Sequence, residues 1–225
     1  MWCRVRQNCV DIVAAETAER RFWHELWEGL EFLRDHRSVV LLGISWALFL
    51  GAMLTGVVVT PSLSDRVFHA GAVGYRWLNA GWGIGAFLSA LYAPQAIARL
   101  GWRMSIAISM ALLASGMMLS PYSRILPVAG LLYGAMGSAR GVSGVAMNTS
   151  LMEQVPKHFM GRVQNTFYFV GTFLQITLGL VVGTVAQKFS LAGGFAIIGS
   201  GYVFAFISAV WPVNSETSIV SDAAG

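Results

Sequence analysis

The chain has 225 residues, of which 56% are hydrophobic and only 12% are Asp, Glu, Lys or Arg, and its formal net charge is +4. A soluble protein of this length would need a polar surface, and so few charged residues exclude that fold class. The composition predicts a chain whose surface mostly faces lipid or other helices.

The spacing of the charged residues predicts six membrane-spanning helices. Arg37 and Asp65 are separated by 27 residues without a charge, and about 20 apolar residues are enough to cross a bilayer core as a helix. Similar intervals recur, and they are too long and too uniformly apolar to be barrel strands. The predicted bundle covers residues 38–213, with spans at 38–60, 74–93, 104–122, 125–151, 163–187 and 191–211.

The basic residues predict the orientation of the chain. With a cytoplasmic N-terminus, ten Lys and Arg residues fall on the cytoplasmic side and four on the other side. Because Lys and Arg accumulate in cytoplasmic loops, both termini are predicted to be cytoplasmic, in a multi-pass protein of the plasma membrane. The tail at 214–225 holds no basic residue and does not affect this comparison.

Residues 1–37 precede the first span and form a cytoplasmic segment. Charges interrupt every apolar run there, so the segment is not a signal peptide. Residues 19–36 have apolar and charged side chains on opposite arcs, which predicts an amphipathic helix along the membrane interface. This helix is either a connector packed on the membrane face or a lipid sensor. Cys3 and Cys9 have a spacing that fits neither a zinc site nor a redox motif.

Glycine residues recur at helical spacing inside the predicted spans. A glycine lets two helices approach closely, which supplies contacts that lipid cannot replace. Such glycines indicate either static packing or helices that move against one another. The candidate packing positions are Gly81, Gly85, Gly134, Gly137, Gly141, Gly144, Gly179 and Gly183.

Arg140 is the one charged residue near the middle of a predicted span, since Arg76 lies at the start of the second span. A charge near the middle of a span costs about 2.5 to 3.5 kcal/mol on an insertion scale, so it usually faces a cavity or a partner. No Asp or Glu lies inside any predicted span. The partner of Arg140 is therefore a backbone carbonyl, water, a substrate anion or a carboxylate elsewhere. The alternative is an arginine that snorkels or caps a broken helix.

A protease hypothesis begins beside Arg140. Residues 141–144 read GVSG, which resembles the serine motif of rhomboid intramembrane proteases. A serine nucleophile needs a base within hydrogen-bond reach, and that family takes it from a histidine on its sixth span. All four histidines here, at positions 24, 36, 69 and 158, fall outside the predicted spans. Ser143 is therefore interpreted as a small packing residue.

Three segments resemble one family of transporters. Residues 148–151 (NTSL) and 155–163 (VPKHFMGRV) resemble the N-T-x-L and V-P-x-x-x-x-G-R-V sequences between the tenth and eleventh helices of major facilitator superfamily exporters. Residues 25–34 (ELWEGLEFLR) resemble the run leading into the seventh helix of that family. Residues 98–103 (ARLGWR) resemble the turn between its eighth and ninth helices. The similarity is to the enterobactin-exporter-like, or transmembrane secretion effector, branch.

The resemblance implies the C-terminal six-helix half of a twelve-helix transporter, an all-α fold built as a three-plus-three inverted repeat. The implied function is export of a small molecule by alternating access in the bacterial inner membrane, without an enzymatic step. The expected partners are the bilayer, the substrate and a second six-helix bundle, which is a missing N-terminal half, a separate chain or a second copy. The alternative is a non-transporting membrane partner or an inactive remnant. No cofactor, metal or nucleic acid is expected.

Two sets of residues are candidates for this function. The cytoplasmic loop motif that the family would use as a gate is Arg99, Gly101, Arg103, Pro156, Gly161 and Arg162. Its arginines would stabilise one open state of the transporter relative to the other. Alternatively, they would only set the orientation of the chain in the membrane. The family's acidic residue is missing from residues 92–103, so a full charge relay is not implied. The candidates for the substrate pathway are Trp46, Thr55, Asn79, Trp82, Arg140 and Asn148, with plain packing as the alternative for each Trp.

Overall fold

The computed structural model describes residues 37–210, and every regular element in that range is a helix. The all-α prediction is therefore confirmed for this part of the chain. The predicted amphipathic helix at 19–36, the similarity at 25–34 and the tail at 214–225 lie outside it. The elements are α1 (Arg37–Arg66), α2 (Gly71–Leu119), a 3-10 helix (Ser120–Tyr122), α3 (Leu126–Gln154), α4 (Lys157–Lys188) and α5 (Leu191–Val210).

Four of the described helices are long and apolar enough to cross a membrane. These stretches are Val39–Arg66, Gly71–Tyr122, Phe159–Lys188 and Leu191–Val210. Helix α3 has 29 residues and so has the length. Its glycines, serines and Arg140 lower its hydropathy below that of the other four. The fold is thus that of a membrane protein at the level of helix length and composition.

The helices extend beyond several predicted spans. The first span was predicted to end before Pro61, but α1 continues through Pro61 to Arg66. Proline removes one backbone donor without ending a helix when its surroundings support the turn. The predicted spans 74–93 and 104–122 correspond to two helical segments, which meet at Gly101 without an intervening loop and extend beyond the predicted bounds. The fourth span also gains three residues at its C-terminal end, and the fifth gains six at its N-terminal end.

Helix α2 is broken at Gly101, where φ is 77° and ψ is 159°. We call residues 71–100 the first segment and residues 102–119 the second. Gly85 of the first and Gly116 of the second both contact one stretch of α3, at Gly134 and Met136. In a straight helix the two glycines would be about 46 Å apart. The chain therefore reverses direction at Gly101.

Substituting alanine for Gly101 should destabilise the protein. A positive φ costs an L-residue about 1 to 2 kcal/mol, and a Cβ at Gly101 would meet no other atom within 4 Å. The effect therefore comes from the backbone alone. Thermal unfolding of the purified protein in detergent measures it, and Gly161→Ala, a helical glycine with equally open surroundings, is the matched control. Equal melting temperatures for the two variants would contradict the expected strain.

Two pairs of helices pack in parallel. Helix α1 lies along α4, with successive contacts of Gly43 with Phe167, Gly51 with Leu174, and Arg66 with Ala186. The first segment of α2 lies along α3, with contacts of Gly81 with Gly130, Gly85 with Gly134, and Ser89 with Gly141. In both series the residue numbers of the two helices increase together, so the two helices run in the same direction. Neither pair is adjacent in the chain, so each is held by tertiary packing.

Other pairs are antiparallel. Ser45 of α1 donates a hydrogen bond to the carbonyl of Ala205 in α5 at 3.1 Å, and Ala52 lies near Gly201. The buried core runs between these helices and includes Tyr202, which is 0% exposed. The core thus continues from α1 through α5 to the second segment of α2, where Gly199 contacts Met118.

The candidate packing glycines divide into two groups. A Cβ added at five of them would stand within 3.4 Å of a facing helix: Gly81, Gly85, Gly134, Gly137 and Gly141. A Cβ at Gly144, Gly179 or Gly183 would meet no atom within 4 Å. The close contact is therefore the α2–α3 interface, and the two glycines of α4 do not mark a second one within the described residues.

Candidate functional site

A cavity of about 280 Å³ lies between α1, α2 and α3. Volumes of roughly 300 to 1,000 Å³ are typical of small-molecule sites, so this one is near the lower end. Both segments of α2 reach it, because the chain reverses at Gly101. The lining residues are Met53, Gly56, Val57, Thr60, Tyr75, Asn79, Trp82, Met117, Tyr133 and Arg140.

Arg140 lies at the midpoint of α3, 14 residues from both Leu126 and Gln154. Either end is therefore about 21 Å away, beyond the reach of an arginine side chain. Its Nε donates a hydrogen bond to Sδ of Met53 at 3.2 Å. A thioether is a weak acceptor, and the guanidinium has five N–H donors. The side chain is half-buried, so it is placed at the cavity with donor capacity to spare.

No carboxylate of the described residues is placed inside the bundle. Asp65 and Glu153 are the two acidic residues between positions 37 and 210, and both are exposed at helix ends. The hydroxyl of Tyr202 is close enough to Arg140 to interact with it electrostatically. This hydroxyl is buried and has no hydrogen-bond partner within residues 37–210. The field around Arg140 is therefore positive and uncompensated in this region.

A second polar group lies two turns away along the cavity. The hydroxyls of Thr60 and Tyr133 are 3.3 Å apart, and Thr60 also donates to the carbonyl of Gly56 at 2.7 Å. Pro61 follows directly and has no N–H to donate to the carbonyl of Val57, a residue that lines the cavity. The wall therefore offers hydroxyl groups as well as the guanidinium.

The first segment of α2 supplies the opposite wall. Trp82 packs its ring against Tyr133, with centroids 6.3 Å apart and planes at 60°. Asn79 is exposed, and its side-chain amide donates to the carbonyl of Tyr75 at 2.9 Å. Its amide oxygen remains available as an acceptor. Together the three residues give the cavity one aromatic and one polar edge.

The structure brings three of the six pathway candidates to the cavity and leaves three elsewhere. Arg140, Asn79 and Trp82 line it. Trp46 is buried against Tyr168, 6.3 Å between centroids, which corresponds to the packing alternative. Thr55 is buried and donates to the carbonyl of Gly51, and Asn148 donates to that of Gly144. Both of these hydrogen bonds stay within one helix.

The loop-motif residues lie at the helix ends away from the cavity. Arg99 and Arg103 flank Gly101 and are exposed, and the Arg103 guanidinium lies 5.1 Å from the ring centre of Trp102. Pro156 precedes the first residue of α4, and Gly161 is exposed one turn later. The Arg162 guanidinium lies 5.7 Å from the ring centre of Phe159. Their role as a gate stays a prediction.

Ser143 is not arranged as a nucleophile. It is 0% exposed, and its hydroxyl donates to the carbonyl of Arg140 at 3.0 Å. Among the described side chains the histidine is His69, exposed in the turn after α1, and His24, His36 and the side chain of His158 lie outside them. A serine whose hydroxyl bonds its own helix lacks the activation that acyl transfer needs.

Sequence reasoning missed three polar or aromatic cavity residues, Thr60, Tyr75 and Tyr133, and also Met53, whose thioether accepts from Arg140. A usable signal exists, because Tyr133 precedes Arg140 by seven residues and Thr60 follows Met53 by seven. Seven residues are close to two helical turns, so each pair shares a face. Extending the face of Arg140 along α3 would have found Tyr133.

No family model, curated protein or solved structure gives a significant match to this chain. Within residues 37–210 no three His, Cys, Asp or Glu side chains come together as a metal site would require. Functional inference therefore depends on the cavity, the helix pairing and the sequence resemblance.

Proposed function

We propose that the chain forms one six-helix bundle of a major-facilitator-type secondary transporter, which exports a small molecule across the bacterial inner membrane. The observation that carries this proposal is Arg140, a charge at the midpoint of a helix that faces a cavity and bonds a thioether. A buried charge is expensive in a membrane unless it meets a partner or serves a pathway. A bound substrate supplies the missing acceptor.

The helix pairing supports a three-plus-three repeat. Counting the two segments of α2 separately gives six helices in chain order. A two-fold relation between the first three and the last three of these exchanges α1 with α3, and the first segment of α2 with α4. The observed contact of α1 with α4 then corresponds to that of α3 with the first segment of α2. Both pairs are parallel, as this relation requires.

The surface supports a second bundle as partner. Only 17% of the most apolar stretch of α4 is buried, against 61% for α1. The exposed side chains of α4 include Tyr168, Phe173, Ile176 and Leu180. The cavity is walled by α1, α2 and α3 alone. A second bundle would close its open side, and rocking of the two bundles would expose the site alternately to each face of the membrane.

The coupling group belongs to the partner in this mechanism. Proton-coupled transport needs a titrating group in the pathway, and the two described carboxylates are exposed at helix ends. An arginine side chain does not act as a proton carrier, because its guanidinium is effectively always protonated. This bundle would therefore bind substrate, and the other bundle would carry the proton.

Comparison of excreted metabolites tests the proposal without knowledge of the substrate. Arg140→Leu is introduced at the chromosomal copy in the bacterium that encodes the chain, so that any partner bundle is present, and equal membrane levels are checked by immunoblot. We expect at least one compound whose appearance in the medium depends on Arg140, detected by untargeted mass spectrometry. Identical media at equal expression would contradict transport and would leave a non-transporting partner or remnant as the function.

A further inference from the structure

We propose that the turn at Gly101 holds the headgroup of an anionic phospholipid, with an acyl chain in the cavity beside it. This site is separate from the central cavity and does not depend on the transport function. It depends only on helices that span a membrane.

A cavity of about 410 Å³ lies between the Gly101 turn and the last residues of α5. Its lining comprises Leu100, Gly101, Trp102, Arg103, Met104, Ala107, Ala209 and Val210. Because the chain reverses at Gly101 between two apolar segments, this turn is at the membrane surface. The cavity is therefore at the level where lipid headgroups meet acyl chains.

The apolar part of the lining suits an acyl chain. Leu100 and Met104 line the cavity, and they are 52% and 54% exposed, so their apolar side chains are open to an acyl chain. Ala107, one turn further along the second segment, is buried and leaves room because its side chain is small. Val210 forms the opposite side. A hydrocarbon chain in this recess would run along the helix toward the bilayer centre.

The basic part of the lining suits a phosphate. Arg103 is exposed and lines the cavity, and its guanidinium lies over the Trp102 ring. Arg99 is exposed four residues earlier, on the other side of Gly101, and no carboxylate occurs between residues 92 and 103. Tryptophan and arginine are the residues that anchor proteins at the headgroup level, and basic pockets between helices bind anionic lipid headgroups.

A basic turn that serves topology alone would need no recess. The positive-inside rule counts charges in a loop and makes no demand on apolar surface beside them. Here the guanidinium of Arg103 and apolar side chains line one cavity, which suits an amphipathic ligand with a negative headgroup. A free phosphate would use only the arginines, and it is an outcome that the test distinguishes.

Native mass spectrometry of the full chain in detergent tests the site. Phosphatidylglycerol and phosphatidylcholine with the same acyl chains are added separately, and retained lipid is counted. We expect phosphatidylglycerol to be retained in preference. Each arginine near a charged membrane surface contributes about fivefold in affinity, so Arg99→Gln with Arg103→Gln should lower retention by roughly twentyfold or more.

Two controls make the result decisive. Arg124→Gln removes an exposed arginine from the α2–α3 turn, away from this cavity, and should leave retention unchanged. Met104→Gln puts an amide in the acyl path and should also weaken retention of phosphatidylglycerol. The proposal is overturned if the double variant retains phosphatidylglycerol like the parent, if both lipids are retained equally, or if free glycerol phosphate displaces the lipid.

Discussion

In the proposed transporter, Arg140→Leu is expected to abolish export while the protein still inserts into the membrane. Leucine removes a charge that costs about 2.5 to 3.5 kcal/mol at mid-span, so insertion becomes easier rather than harder. Export fails because the cavity loses its guanidinium, and the remaining described polar groups, such as Thr60, Asn79 and Tyr133, carry no charge. Loss of a charge-assisted hydrogen bond to a substrate costs about 1.5 to 3 kcal/mol, a factor of roughly 10 to 150 in affinity.

Two further variants separate a substrate contact from a structural one. Met53→Leu removes the thioether acceptor but keeps the volume, and it should leave export near the parent level. Arg140→Lys keeps the charge but loses the planar fork, so export should fall without vanishing. Membrane-fraction immunoblots establish equal insertion. Parent-like efflux by Arg140→Leu would remove Arg140 from the pathway.

Gly85→Ala should produce the largest loss of stability among single glycine substitutions in α2. A Cβ there would overlap the carbonyl oxygen of Gly134 and stand 2.9 Å from the backbone nitrogen of Ser138. Backbone atoms cannot move aside as a flexible side chain can, so the two helices must separate. Overpacking of this kind costs about 1 to 3 kcal/mol.

Gly83→Ala is the matched control for Gly85→Ala. Gly83 is on the same helix two residues away, is exposed, and has no atom within 4 Å of an added Cβ. Its substitution should be neutral or slightly stabilising because alanine favours a helix. Unfolding of both proteins in detergent gives the difference. If the two variants unfold alike, the close approach of α2 and α3 is not important for stability.

The sequence predicted helix positions well where charges bracket apolar runs and poorly where geometry decides. Charges locate α1 because Arg37 and Arg66 lie at its ends. Charges also bracket the reversal at Gly101, because Arg99 and Arg103 lie on either side of it. No charge pattern reveals that Pro61 is inside helix α1, or how far the helices extend beyond their apolar runs. Those outcomes depend on tertiary contacts that sequence spacing does not encode.

The candidate site was predicted in part for a similar reason. Arg140 stands out because a charge in an apolar run is costly wherever it points. Trp46 and Thr55 are equally suitable by residue type, yet both are buried in packed faces of helix α1. Met53 and Thr60 of the same helix line the cavity. Which face of a helix lines a cavity depends on its neighbours, and hydrophobic periodicity is weak when all faces are apolar.

The parallel contact of α1 with α4 has a consequence for biosynthesis. Gly43 meets Phe167, which is 124 residues later in the chain. At about 5 to 20 residues per second, a ribosome needs roughly 6 to 25 s to make that stretch. During this interval the newly inserted α1 has no native neighbour on one side. The insertion machinery or surrounding lipid must hold it in the bilayer until α4 arrives.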